Sequence, residues 1–232
     1  MQRRPGNRRK SRPRIWDRIM LRLSKGDYVD GLWVGTDDDN PQPVLDRLHE
    51  ALRLIERYDA LRYSRLTRDL ERVWALSASL HPTAAFDHRL RACVLHARFV
   101  LAEETTLERV ASAIIHEATH ARLWNCGIGY AEALRPRVEA ICVRRELAFA
   151  AKLPNGAQAQ ERAKRTLAVC NGDNLSNEAL SRRREVQAEV ELRRLGVPDW
   201  TIRAILIYRH LIWSMIRFIR RAKRGFRASA AS

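Results

Sequence analysis

Residues 114–124, IIHEATHARLW, set two imidazoles four positions apart with a carboxylate directly after the first. On a helix, His116 and His120 project from one face and can meet a single cation at about 2.0–2.1 Å per nitrogen. Glu117 is turned about 100° from His116, outside direct ligation but within reach of a metal-coordinated water. A metal lowers the pKa of such a water towards neutrality, and a neighbouring carboxylate takes the proton as the oxygen attacks a carbonyl. The competing reading is a pair of polar residues on a solvated helix. The phase of the helix argues for a site: Leu107, Val110, Ala111, Ile114, Ile115, Ala118 and Ala121 form one apolar stripe, with the histidines opposite. On the histidine side, Leu123 and Trp124 suit a cleft better than open water, and small Ser112 and Ala113 leave room for something to approach.

A catalytic zinc takes three protein ligands and keeps one position open. Three downstream residues compete for the third place. Glu139 lies beyond the break at NCGIG, on a second helix that Pro136 opens, and a returning helix would bring its carboxylate back over Ser112 and Ala113. Cys126 on an unbroken helix would point about 120° away from His120. Glu132 falls in the connecting loop. Glu139 is the favoured ligand.

H-E-x-x-H in HEATH, followed by the glutamate of RPRVEAICVRRE, resembles the gluzincin branch of zinc metallopeptidases over residues 105–150. The resemblance implies a zincin-like minimal core, with Zn2+ held by His116, His120 and Glu139, Glu117 as general base, and a peptide or protein substrate. It also implies that the strand before the zinc helix is an edge to which an extended peptide can pair. Tyr130 is the residue that could donate to the oxyanion, as a tyrosine does in thermolysin-like enzymes; His210 is a weaker candidate for that role. The departures matter. No G-x-M-E-N exopeptidase sequence occurs upstream, Leu123 and Cys126 stand where a metzincin has glycine and its third histidine, and no methionine turn follows.

The elements that must position these groups are mostly helical. Thr105 and Glu108 have the spacing of a capping box for a helix over 106–124. Further helices are expected over about 136–152, 157–169, 176–195 and 199–222, with breaks at CGIG, LPNG, CNGDN and LGVPDW. Upstream, LWVGTDDDNPQPVLDRLHEALRLIERYDAL (32–61) reads as a turn followed by a helix: Pro43 sits near the helix start, Val44, Leu45, Leu48, Leu52 and Ile55 follow helical spacing, and Asp37–Asp38–Asp39 supplies turn and capping residues. RVWALSAS (72–79) and RLRACVLHARFVL (89–101) are strand-like, with HPTAAFDH as a loop between them. A few strands followed by helices make an α+β fold, predominantly helical, with a short β-sheet. Glu146 lies two turns beyond Glu139 and either orients a ligand or pairs with a nearby arginine.

The chain carries 43 Lys+Arg against 27 Asp+Glu, a formal charge of +16. Such a field attracts polyanions. The excess gathers in MQRRPGNRRKSRPR and RFIRRAKRGFR, so nucleic acid or an anionic membrane surface could bind weakly through basic termini. The alternative function follows: a polyanion-binding protein whose zinc site is structural or vestigial. We expect a disordered basic arm over 1–25, one metallohydrolase domain over 26–222 and a flexible tail over 223–232. The four separated cysteines and the lack of a secretory signal lead to a cytoplasmic expectation. The apolar run at 202–221 is interrupted by Arg209, His210 and Arg217, so no transmembrane span is expected.

Overall fold

The computed structural model describes residues 15–79, 83–170 and 173–204. Its order is α1 (Ile15–Leu23), β1 (Lys25–Val29), β2 (Leu32–Thr36), α2 (Pro41–Tyr58), α3 (Ala60–Asp69), β3 (Arg72–Leu76), β4 (Ala84–Asp87), β5 (Ala92–His96), α4 (Ala97–Leu101), α5 (Leu107–Asn125), α6 (Arg135–Ala150), α7 (Ala157–Val169) and α8 (Asn177–Arg194). The fold is α+β with helix predominant. The described residues fall into two compact units that divide between Ser181 and Arg182. In the second, the end of α8 closes on Gly196 at φ 74°, and residues 199–204 are helical. The rest of the helix expected over 199–222, His210, the extreme N-terminal residues and the tail lie outside the described residues.

The sheet has the order β1-β2-β3-β5-β4. β1 and β2 are antiparallel, β3 runs parallel to both β2 and β5, and β4 returns antiparallel along β5. Alternation along the strands divides two cores. Val34, Val73, Ala75, Cys93 and Leu95 face the main core with α2, α3 and α5. Trp74, Ala92 and Val94 face the other way, where Met20 and Leu21 of α1 cover them. That packing makes residues 15–23 a helix although the stretch 1–25 is expected to be an unstructured arm. Trp74 Nε1 donates to Ser24 Oγ at 3.0 Å, closing the same layer.

Three other expectations are corrected. β2 occupies the stretch read as a turn, and β4 occupies the loop HPTAAFDH. The first hairpin does carry a local signal, because Asp30 and Gly31 both take positive φ (50° and 79°) in a two-residue Asp-Gly turn. Tyr63 Oη donates to Asp30 Oδ2 at 2.6 Å and fixes that turn to α3. β4 has only four half-buried residues and owes its conformation to its pairing, Phe86 opposite Cys93, rather than to local pattern. Because β4 flanks it, β5 is interior; the sheet edge lying against α5 is β4, not the strand expected there.

Phe149, fully buried on α6, ties that helix into the main core with Leu153. Phe149→Ala is expected to cost about 3–5 kcal/mol in a denaturant titration, since the cavity cannot close fully.

Candidate metal centre

Local chemistry sets both ends of α5. Thr106 caps its start, its hydroxyl accepting from Arg109 N at 3.3 Å. Thr105 and Glu108 do not form the expected box: Thr105 is buried and its carbonyl accepts from the Arg47 guanidinium. At the C-terminus, Ile128 N donates to Leu123 O and Gly127 N to Trp124 O, both at 2.9 Å, with Gly127 at φ 87°. This paired closure is a Schellman motif, and only glycine adopts its left-handed position without strain. The motif ends α5 and turns the chain towards α6. Pro136 sits in the first turn of α6, where its missing N–H costs nothing.

α6 packs against α5 and carries Glu139, Cys142 and Glu146 on one face, at i, i+3 and i+7. The two ring nitrogens His116 Nε2 and His120 Nε2 lie 3.1 Å apart. Glu139 spans them, with Oε2 at 3.2 Å from His116 Nε2 and Oε1 at 3.4 Å from His120 Nε2. Glu146 Oε1 takes the other nitrogen of His116, Nδ1. The four side chains keep between 13% and 20% of their exposure, so the cluster is sheltered but open to approach.

These distances test whether a cation fits. Ligands about 2.05 Å from a tetrahedral ion stand about 3.3 Å from one another. The three separations of 3.1, 3.2 and 3.4 Å are of that length. Proton accounting leads the same way. An ionised carboxylate only accepts, so Nδ1 of His116 must donate to Glu146, which leaves Nε2 as a lone pair in the neutral ring. That lone pair faces a carboxylate oxygen and a second imidazole nitrogen. Something positive must sit among them, a proton or a metal.

The electrostatics agree. Burial opposes charge on His116, but Glu139 and Glu146 overcome it and push the imidazole well above its ordinary pKa. Burial likewise opposes ionisation of Glu139, yet hydrogen bonds from His116 and His120 hold it below the usual carboxylate range. Glu117 is buried, and burial raises its pKa against the pull of the two imidazoles. Ser112, on the histidine face one turn earlier, is buried with its Oγ lacking a partner among the described residues.

The other candidates are placed as follows. Tyr130 Oη donates to Glu139 Oε1, and its ring stands edge-on to His120 at 5.4 Å. Arg135 lies over the Tyr130 ring at 5.0 Å, anchored by the Leu175 carbonyl and by Asn177 Oδ1. Tyr130 therefore reaches the cluster through Glu139; burial, then Glu139, raises its pKa. Cys126 is exposed at the helix cap. Glu132 is used elsewhere, accepting from Asn177 N at 2.8 Å and from Asn177 Nδ2 at 2.6 Å. Sequence reasoning missed Cys142 as a donor. Its thiol and the two imidazoles offer ligand atoms within 4.8 Å of one another. Burial keeps that thiol protonated, its pKa pushed up. The spacing from Glu139 was the available signal.

No protein family model, curated protein or solved structure matches the chain. No helix of the described residues is long and apolar enough to cross a membrane.

Proposed function

We propose that this chain is a zinc-dependent hydrolase, a gluzincin-like metallopeptidase with a zincin-like core. The observation that carries it is the ligand-edge spacing of His116, His120 and Glu139, with His116 held from behind by Glu146. Zinc at this position would polarise the scissile carbonyl and acidify a water. His116, His120 and Glu139 would hold the ion, and Glu117, the residue after His116, would accept a proton from the attacking water and pass it to the leaving amine. Glu146 fixes the ring orientation and tautomer of His116. Tyr130, braced by Arg135, positions Glu139. β4, at the sheet edge beside α5, is the strand against which an extended substrate can pair. The four free cysteines suit work in the cytoplasm.

Cys142 supports a second reading. If its thiol joins His116, His120 and Glu139, the coordination closes and the zinc becomes structural, as in a basic polyanion-binding protein. Metal analysis separates the two. We expect protein purified without chelator to carry about one zinc per chain, and Cys142→Ser to keep it. We also expect the cobalt(II)-substituted protein to lack a thiolate-to-cobalt charge-transfer band. A band that disappears in Cys142→Ser would establish the closed site, and metal-free native protein would dismiss both readings.

A further inference from the structure

On another face of α5, a pocket of about 50 Å³ lies between α3, α5 and α6. At about 10–15 Å³ per water it can take several waters or one tetrahedral oxyanion. Arg62, Arg65, Arg122 and Arg145 line it, with Asp69 and Thr119. Arg122 Nη1 lies 3.4 Å from Asp69 Oδ2, and Arg68 Nε lies 3.9 Å from Oδ1 of the same carboxylate. Arg62 pairs with Asp59, which Lys152 also approaches at 3.0 Å. Four cations thus share two carboxylates, while Arg65 and Arg145, which also line the pocket, make no ion pair among the described residues. Arg62 registers the crowding: burial first, then Arg145 and Arg65 against the pull of Asp59, lower its pKa.

Converging guanidinium groups repel unless an anion sits among them. We propose that this pocket binds a phosphate-class dianion, as free phosphate or as the phosphoryl group of a small phosphomonoester. A carboxylate would neutralise one cation and offer two oxygens. A phosphoryl group neutralises nearly two and presents several oxygens to the planar donor forks of arginine. The pocket's α5 residues lie about 130° around the helix from the histidines. It is therefore not a substrate subsite of the metal centre. Its effect would be to clamp α5 to α6 from behind, through Thr119 beside His120 and Arg145 beside Glu146. The proposal stands independently of the metal.

The test is calorimetric and thermal titration of the intact protein with inorganic phosphate and with AMP, against chloride at equal ionic strength. Phosphate or AMP should bind saturably and raise Tm where chloride does not. Arg65→Gln/Arg145→Gln should weaken binding by more than about tenfold, because it removes the two uncommitted donors of charge-assisted bonds. Arg53→Gln/Arg203→Gln, which deletes the same charge elsewhere, should leave it unchanged. Preference for AMP would identify a phosphomonoester as the source, and parity would identify free phosphate; either supports the site. Equal shifts with phosphate and chloride, or equal loss in both double variants, would overturn it.

Discussion

Glu117→Gln is expected to lower peptide hydrolysis by about 10²–10⁴-fold while zinc content and thermal stability stay unchanged. The substitution keeps the shape of the side chain and removes only its capacity to accept a proton. Glu117 follows His116 on α5 yet leaves the histidine face, so its loss takes no ligand from the cluster. It is buried at 7% exposure, and desolvation raises its pKa while the neighbouring imidazoles pull the other way. A carboxylate moved up from its ordinary value is a better base near neutrality than an exposed one. The check is kcat on a fluorogenic peptide library, with metal measured by mass spectrometry on the same samples. Unchanged kcat would remove Glu117 from the chemistry. Loss of metal together with activity would make it a support for the ligands instead.

What could be read from the sequence was what local chemistry writes down. The α5 stripe is the clearest case: Val110, Ala111, Ile114, Ile115, Ala118 and Ala121 are all buried, because helical spacing and burial are the same constraint. The Gly127 and Pro136 boundaries were legible because each residue has one backbone role there. The partnership of Glu146 with His116 was only half legible. Spacing put Glu146 under Glu139, but whether His116 or an arginine took it depended on how α6 lies against α5. β4 was not legible at all, since four residues without alternation become a strand only when β5 is beside them. The arginine pocket was hidden for the same reason, its side chains coming from three helices far apart in the chain.

Glu139→Ala is expected to release the metal, with a larger fall in affinity than Glu146→Gln produces. Removing a partner that only orients a ligand costs about 10–100-fold in affinity, which sets the scale for Glu146→Gln. Glu139 stands differently, because its two oxygens reach both imidazoles, at 3.2 and 3.4 Å, and supply the negative charge of the donor set. Without it, two neutral rings remain, and a divalent ion keeps no anionic ligand unless Cys142 ionises, which burial opposes. Competition titration with a zinc-binding dye would rank the two variants. Tyr130→Phe, which removes only the hydroxyl that Glu139 accepts from, should fall below both. If Glu139→Ala bound zinc as tightly as Glu146→Gln, the carboxylate bridging the two imidazoles would be a hydrogen-bond partner rather than a ligand. The thiol of Cys142 would then be the third donor, and His116, His120 and Cys142 would replace the gluzincin-like ligand set.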